Sequence, residues 1–429
     1  MKKFVLTFAI FGMLLGFLYP IQVSASVNKE NTETKKVEVG KDVVIANTSK
    51  YVDRDHAQMV AEATENAGAK DCKVTFLTVN EMKQSSALKC GMIVCTETYY
   101  KGDAQGGAYY KIVKEKGKGR ILLDNGLYAE PQLASYTDKE GVSWLVANVH
   151  QFGAVGNGSQ EDDEAINNAI SYVGETVAGN EQYTRGLIYI PEGEYKCGNQ
   201  IHVGYSNLNI VGDGDKTILF TDNDYRDKEG YSEFFFQCWG ANNMYIASFR
   251  MEAREVDLYR YMRQFVVLYS TDVYVDQVDM IIPQESYNSY YFEDKQYSNF
   301  CCYSGNKNIT VNDCRMEQMS GTYRGANLGV LDIWAAGEEN ITIMNCDMYG
   351  NARDEQIGFF SKNDVNASVK HVNFLNNTVH STEIKYPDII GTRTMCFTIA
   401  YSDSQNVEDI YIAGNHFICE TDSKFMTFG

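Results

Sequence analysis

The stretch NITVNDCRM at residues 308–316 returns as NITIMNCDM at residues 340–348, and that near-identity decides the fold. A looser version of the same nine-residue phrase starts at Asn207, Asn243, Asp272, His371 and Asp409. Taken together, the starts are separated by 36, 29, 36, 32, 31 and 38 residues, a spacing that belongs to solenoids, propellers or arrays. One residue after each start stand Leu208, Met244, Val273, Ile309, Ile341, Val372 and Ile410. Two further on stand Ile210, Ile246, Val275, Val311, Ile343, Phe374 and Ile412. This is apolar alternation at period 2, the mark of a strand that buries one face. At the eighth position an apolar residue returns out of phase, as Met251, Met280, Met316, Met348, Val379 and Phe417, so a corner bend is expected inside the phrase.

A second short strand precedes each later phrase: FFFQCWG, QFVVLYS, NFCCYSG, VLDIWAAG, QIGFFSK and CFTIAYS. Two or three strands per irregular turn, with no helical pattern between them, fit a parallel β-helix in which coils stack like residue on like. Leucine-rich repeats would need a recurring Leu frame, and propeller blades run to about 40–50 residues with four strands each. The sixth position, also inward, holds Phe249, Val278, Cys314, Cys346, Asn377 and Asn415. Coils lie about 4.8 Å apart, which brings Cys314 and Cys346 within reach of a disulfide. Two buried thiols in a ladder are the favoured alternative, since cysteine is readily buried without reacting. Asn377 and Asn415 read as an internal amide ladder. The closing KFMTFG opens another second strand and leaves a coil end that a partner subunit or further chain is expected to cover.

At 429 residues and 44% hydrophobic composition the chain supports a sizeable core. Its net charge of −19 opposes a partner held through phosphates, so no nucleic acid is expected. An acidic polysaccharide stays open, because a local basic cluster or a bridging cation overrides the global field. Lys2 and Lys3, an apolar run from Phe4 to Leu18 and then Val23, Ser24 and Ala25 read as a signal peptide over residues 1–25. No later segment is apolar for long enough to span a bilayer, so a secreted or cell-surface protein is expected. Residues 26–55 read as a polar linker. Residues 56–147 read as a small leading α+β module, with a helix over 56–70 and short strands after it, including LTVNEMKQ. The β-helix is assigned to 148–429. Eleven cysteines leave at least one unpaired and show no paired zinc-type spacing.

The segment VHQFGAVGNGSQEDDEAINNAI, followed by GLIYIPEGEYKCG, resembles the opening of the pectate-lyase superfamily, which includes polygalacturonases, rhamnogalacturonases and phage tailspikes. The matching residues are Phe152, Gly153, Ala154, Gly156, Gly158, Pro191, Gly193 and Tyr195, with Asn157 in place of the usual Asp. The resemblance implies an all-β, right-handed parallel β-helix. It also implies an N-terminal helix near Glu161 to Ile170 capping the first coil, and carbohydrate in an elongated side groove. The phrases GDAQGGAYYKIV and LDNGLYAE resemble a module that precedes this opening in tailspike-like and bacterial surface proteins. Tailspike relatives are often trimeric, so a homotrimer is the implied assembly.

Polygalacturonase-like enzymes carry N-T-D on one coil and D-D on the next, where this chain has NLGVLDIW and RDEQIGFF. Gly329 stands where the first Asp would be, and Asp354 and Glu355 match the pair. Asp332 is expected to face outward between inward Leu331 and Ile333. His380 and Arg393 fall in the following coil, in no family phrase. Glycoside hydrolysis needs a proton donor and a second carboxylate, and neighbouring acids raise one pKa enough to keep a proton. The candidate catalytic set is therefore Asp332, Asp354, Glu355 and Arg393. Elimination from a uronic acid is the other route, with calcium on the acids and Arg393 or Lys362 taking the proton. No D-x-D-x-D-G loop is present, so the expected cofactor is none or calcium, and the metal site is unassigned. In the insertion PQESYNSYYFEDKQYSNF, Tyr287, Tyr290 and Tyr291 either form a sugar-binding platform or cover the apolar side of the coils. The expected function is an extracellular polysaccharide-degrading enzyme, hydrolase before lyase. The alternative, which Gly329 favours, is a non-catalytic surface β-helix that binds a glycan or acts as a scaffold.

Overall fold

The computed structural model describes residues 74–102, 105–222, 234–254, 261–282, 296–318, 330–335, 337–350, 357–361, 368–381, 397–399, 406–420 and 426–428, with short pieces at 9–10, 21–24, 56, 59–60 and 72. Its repeat begins in the backbone. Every phrase start lies in the left-handed region: Asn207, Asn243, Asp272, Asn308, Asn340, His371 and Asp409 have φ between 53° and 61°. Asn and Asp tolerate that conformation better than other side chains, which explains why they open the phrase. Their side chains then join successive coils. Asn243 Nδ2 donates to Asn207 Oδ1 at 2.7 Å, Asn308 Nδ2 to Asp272 Oδ1 at 2.8 Å and Asn340 Nδ2 to Asn308 Oδ1 at 2.9 Å. Five residues after the start a second left-handed corner follows, at Ser248, Gln277, Asp313, Asn345 and Asn376. It is the bend behind the change of phase in the apolar pattern.

The strands that carry the phrase pair in parallel, with Ile210, Ile246, Val275, Val311, Ile343, Phe374 and Ile412 in one register column. A separate eight-stranded sheet is built from the preceding short strands: Ile201–Val203, Phe234–Trp239, Tyr261–Leu268, Gln296–Tyr303, Leu331–Ala335, Ile357–Ser361, Phe397–Ile399 and Met426–Phe428. The last strand, inside KFMTFG, lies in parallel on Phe397–Ile399. The chain is an all-β parallel solenoid with few helices.

Inside the coils, one continuous apolar cluster runs from Leu133 to Ile412. Phe236, Phe265 and Phe300 stack within it, with ring centroids 4.9 and 5.6 Å apart. Cys314 and Cys346 are buried free thiols, the favoured of the two alternatives. The amide ladder also forms: Asn377 Oδ1 accepts from Cys346 N at 2.9 Å, and Asn377 Nδ2 donates to Ile343 O and Asn415 Oδ1 at 3.0 Å each. A disulfide joins Cys72 to Cys95, a pairing with no signature in the sequence.

At the other end, the helix Asp163–Gly179 puts Ala165, Ile166, Ala169, Ile170 and Val173 into the same core. It starts at Asp163 because Asn157–Glu161 is a strand. Asp162 Oδ1 and Oδ2 accept from Val155 N and Gly156 N at 2.6 and 3.1 Å, while Asp163 accepts from Gly198 N and Asn199 Nδ2, both at 3.0 Å. Gly156 has φ 67°, and a Cβ there would stand 2.9 Å from the Tyr195 ring, so two residues of the family opening explain each other.

Before the coils, Thr75–Phe76, Ile93–Thr96, Tyr109–Val113, Tyr128–Pro131 and Ile121–Leu122 form a five-stranded sheet in that order. Of the stretch 56–70, His56, Met59 and Val60 are described and are helical. One expectation is corrected: within LTVNEMKQ the chain forms the helix Val79–Gln84 rather than a strand. Thr78 Oγ1 accepts from Glu81 N at 3.2 Å and Glu81 Oε2 accepts from Leu77 N at 3.0 Å, a capping pair that outweighs the alternation. The strand Ser143–Asn148 pairs in parallel with Arg185–Ile190. No described helix is long and apolar enough to cross a membrane.

Candidate functional site

In the eight-stranded sheet, successive side chains alternate between the core and the outside. Leu331 and Ile333 belong to the core cluster, and Asp332 between them faces the other way. Its register column on the outer face runs Gln237, Val266, Cys301, Asp332, Gly358. The outward bearing follows the expectation, but the residue is fully buried rather than exposed. The outer face is not bare at these coils: Val266, Leu268 and Cys301 form an apolar cluster of their own, with Phe234 and Tyr303 packed against it.

Arg263 completes this group. It lies on the strand before Cys301, is 8% exposed, and holds its guanidinium 5.8 Å from the rings of both Phe234 and Tyr303. Burial raises the Cys301 thiol pKa; the Arg263 charge opposes that rise, and Asp332 and Glu338 add to it. One thiol thus feels a buried cation and two buried acids. Glu338 is itself tied down, accepting from Gly305 N at 2.9 Å and from Asn306 Nδ2 at 3.4 Å. Among the described residues no group of three His, Cys, Asp or Glu is placed to hold a metal ion.

The remaining predicted residues divide into two sets. Asp354, Glu355, Arg393, Tyr287, Tyr290, Tyr291, Lys362 and Gly329 lie outside the described residues. His380 is described and sits elsewhere, on Thr378–Ser381 in the other sheet. There its Nε2 is 2.8 Å from Glu420 Oε1 and its ring meets Tyr349 edge-on. A cleft of about 540 Å³ between Lys116–Arg120, Pro131–Leu133 and the end of the helix Asp163–Gly179 is remote in sequence and fold from Asp332. The chemistry favours the sheet face over that cleft, because the sheet carries the buried acid and cation together.

Sequence reading missed Arg263 and Cys301, and also two exposed aromatic residues at the edge of this sheet, Trp239 and Tyr269. Aligning the second-strand phrases on their final position would have brought Trp239, Tyr269 and Tyr401 into view as a recurring aromatic at the penultimate place.

With this geometry in place, the comparisons give the family. The sequence model of rhamnogalacturonase A/epimerase, pectate lyase-like, matches residues 146–383, more than half of the chain. The chain belongs to this family. Its parallel β-helix is therefore the pectate-lyase-like one, and Asp332 lies within the matched segment. A search of curated proteins gives no match. Among solved structures, the enzymatically active domain of tailspike protein 2 from bacteriophage CBA120 is similar at 11% identity and TM-score 0.44, over 86% of this chain and 58% of that one. The tailspike gp49 of the Acinetobacter baumannii bacteriophage Fri1, a capsular polysaccharide depolymerase, is similar at 12% identity and TM-score 0.38, over 81% and 75%. PfbA, a surface adhesin of Streptococcus pneumoniae, is similar at 15% identity and TM-score 0.40, over 63% and 62%. The chain thus spans little more than half the length of the first of these, and similarity at this level carries no argument about activity.

Proposed function

We propose that the protein is an exported, polysaccharide-acting β-helix that holds its glycan along the outer face of the eight-stranded sheet and cleaves a glycosidic bond there. The observation that carries this reading is sequence position within the family segment. Asp354 and Glu355 stand three and two residues before Ile357–Ser361, the strand that pairs directly with the one bearing Asp332. In this mechanism one of the pair protonates the leaving oxygen and the other acts as base or nucleophile, with their separation deciding inversion or retention. Asp332 supplies a third carboxyl group, whose charge keeps the donor protonated, and Arg393 binds the polar groups of the sugar. Tyr287, Tyr290 and Tyr291, in the insertion ahead of Gln296–Tyr303, add stacking surface.

The same reading takes residues 1–25 as an export signal of a secreted or surface-held chain, 26–55 as a tether and 56–147 as a leading module. It makes the helix Asp163–Gly179 the cap of a right-handed stack, the sense that parallel crossovers take, and three copies the assembly.

A second reading, a non-catalytic glycan-binding β-helix, is favoured by the complete burial of Asp332 and by Gly329 in place of an acid. Product release from a panel of pectic and bacterial polysaccharides, with wild type beside Glu355→Gln, separates the two. New reducing ends that disappear in the variant support hydrolysis, and unsaturated products absorbing in the ultraviolet support elimination. Binding without either product supports the silent protein. A chain that neither binds nor cleaves any polymer of the panel overturns both.

A further inference from the structure

We propose that Trp239 and Tyr269 form an aromatic platform that takes the apolar face of one pyranose ring, a binding subsite at the edge of the eight-stranded sheet. The proposal rests on the reading of this chain as glycan-binding and adds residues that reading does not contain.

Trp239 ends the strand Phe234–Trp239 and pairs with Leu268, so Tyr269 stands one residue past it on the next coil. Their ring centroids are 6.0 Å apart at 37°. Trp239 is 48% and Tyr269 60% exposed, the one ring pair among the described residues in which both members are exposed. An exposed aromatic pair keeps apolar surface in water until something covers it, and sugar C–H faces are a natural cover for such rings.

The backbone adds an independent reason. Tyr269 has φ 49°, in the left-handed region, where a bulky residue is an outlier. The corner requires that conformation: the coil before uses Gly240 at φ 62° and the coil after uses Ser304 at φ 75°. A small or Asx residue meets the requirement without strain, so the fold alone does not account for tyrosine there. Its side chain does.

Polar groups complete the subsite. Neither the Trp239 indole N–H nor the Tyr269 hydroxyl has a hydrogen-bond partner among the described residues, which leaves both for sugar hydroxyls. Two residues before Trp239 on the same outer face, Gln237 Oε1 meets His202 Nδ1 at 3.0 Å, and His202 is exposed beside it. Gln237 is buried and serves to hold that imidazole, and aromatic rings with an exposed imidazole on the neighbouring coil suit a hydroxylated ring better than a purely apolar partner.

The test is affinity electrophoresis of the full chain through gels holding, in turn, polygalacturonate, rhamnogalacturonan and a bacterial capsular polysaccharide. Trp239→Ala is expected to bind the retarding polymer about tenfold more weakly, with Tyr269→Asn weaker by a smaller factor and Tyr269→Phe within about twofold of wild type. Asn suits the corner, so Tyr269→Asn unfolds at or above the wild-type temperature and its loss of binding is not a loss of fold. A wild-type chain that binds while both truncations bind equally well removes the platform and leaves the glycan reading standing. One that binds none of the polymers removes both. Sedimentation showing a self-association that Tyr269→Asn dissolves assigns the patch to a contact between copies and overturns the proposal.

Discussion

Phe265 and Val266 are neighbours in sequence and fall under opposite rules. On the inner face of the eight-stranded sheet the register column reads Phe236, Phe265, Phe300, Leu331, like upon like. On the outer face, one residue along, it reads Gln237, Val266, Cys301, Asp332, with no two alike. Stacked coils need self-complementary layers inside, because each ring is the packing surface of the next. Outside, coil stacking makes no such demand. A buried acid and a buried arginine acting on one thiol there are not a requirement of the repeat, which is why the outer face is where chemistry is sought.

The largest test of this contrast is inside. Phe265→Ala opens a cavity between two stacked rings and is expected to cost about 3–5 kcal/mol in chemical denaturation. A cost below about 1 kcal/mol would show that the column is not what holds the coils together. Asn377→Ala comes next, at about 2 kcal/mol, since it strips the buried Cys346 N of its side-chain acceptor and Asn415 Oδ1 of one of its two donors inside an apolar lumen. A smaller effect follows from Asp162, the N-cap residue of the helix Asp163–Gly179, whose carboxylate accepts from Val155 N and Gly156 N. Burial, against two backbone N–H donors, raises its pKa to about 6 from 3.8, so the native state favours the protonated form. Its contribution to stability is present below about pH 4 and is lost as pH rises through about 6. Unfolding midpoints measured from pH 4 to 7 should therefore fall more steeply in wild type than in Asp162→Asn, and equal slopes would remove the assignment. Smallest is the outer edge: Tyr269→Asn should raise stability by at most about 1 kcal/mol through relief of its left-handed strain. A marked loss would mean that the tyrosine packs rather than waits for a ligand.

The coils were legible because their rules are local. Apolar alternation, the Asn or Asp that tolerates a left-handed corner, and the inward Cys and Asn positions each repeat within nine residues, so one good match calibrates the others. The helix Val79–Gln84 was local too, written as Thr78 and Glu81, but alternation around it disguised the capping pair. Arg263 and Cys301 had no local signal. They join Asp332 only through a register that crosses 31 to 35 residues per coil, and nothing in FVVLYS or FCCYSG marks one coil's outer side chain as the neighbour of the next.

What the amino-acid order determined by itself was the solenoid, its inward ladders and the family opening around Phe152 to Tyr195, because those depend on period, residue size and backbone tolerance. Only the tertiary structure decided that Asp332 is buried while Trp239 and Tyr269 are exposed. Whether an outward side chain meets water depends on what the neighbouring coils and their connections lay over it, and that is a property of the assembled stack rather than of any one strand.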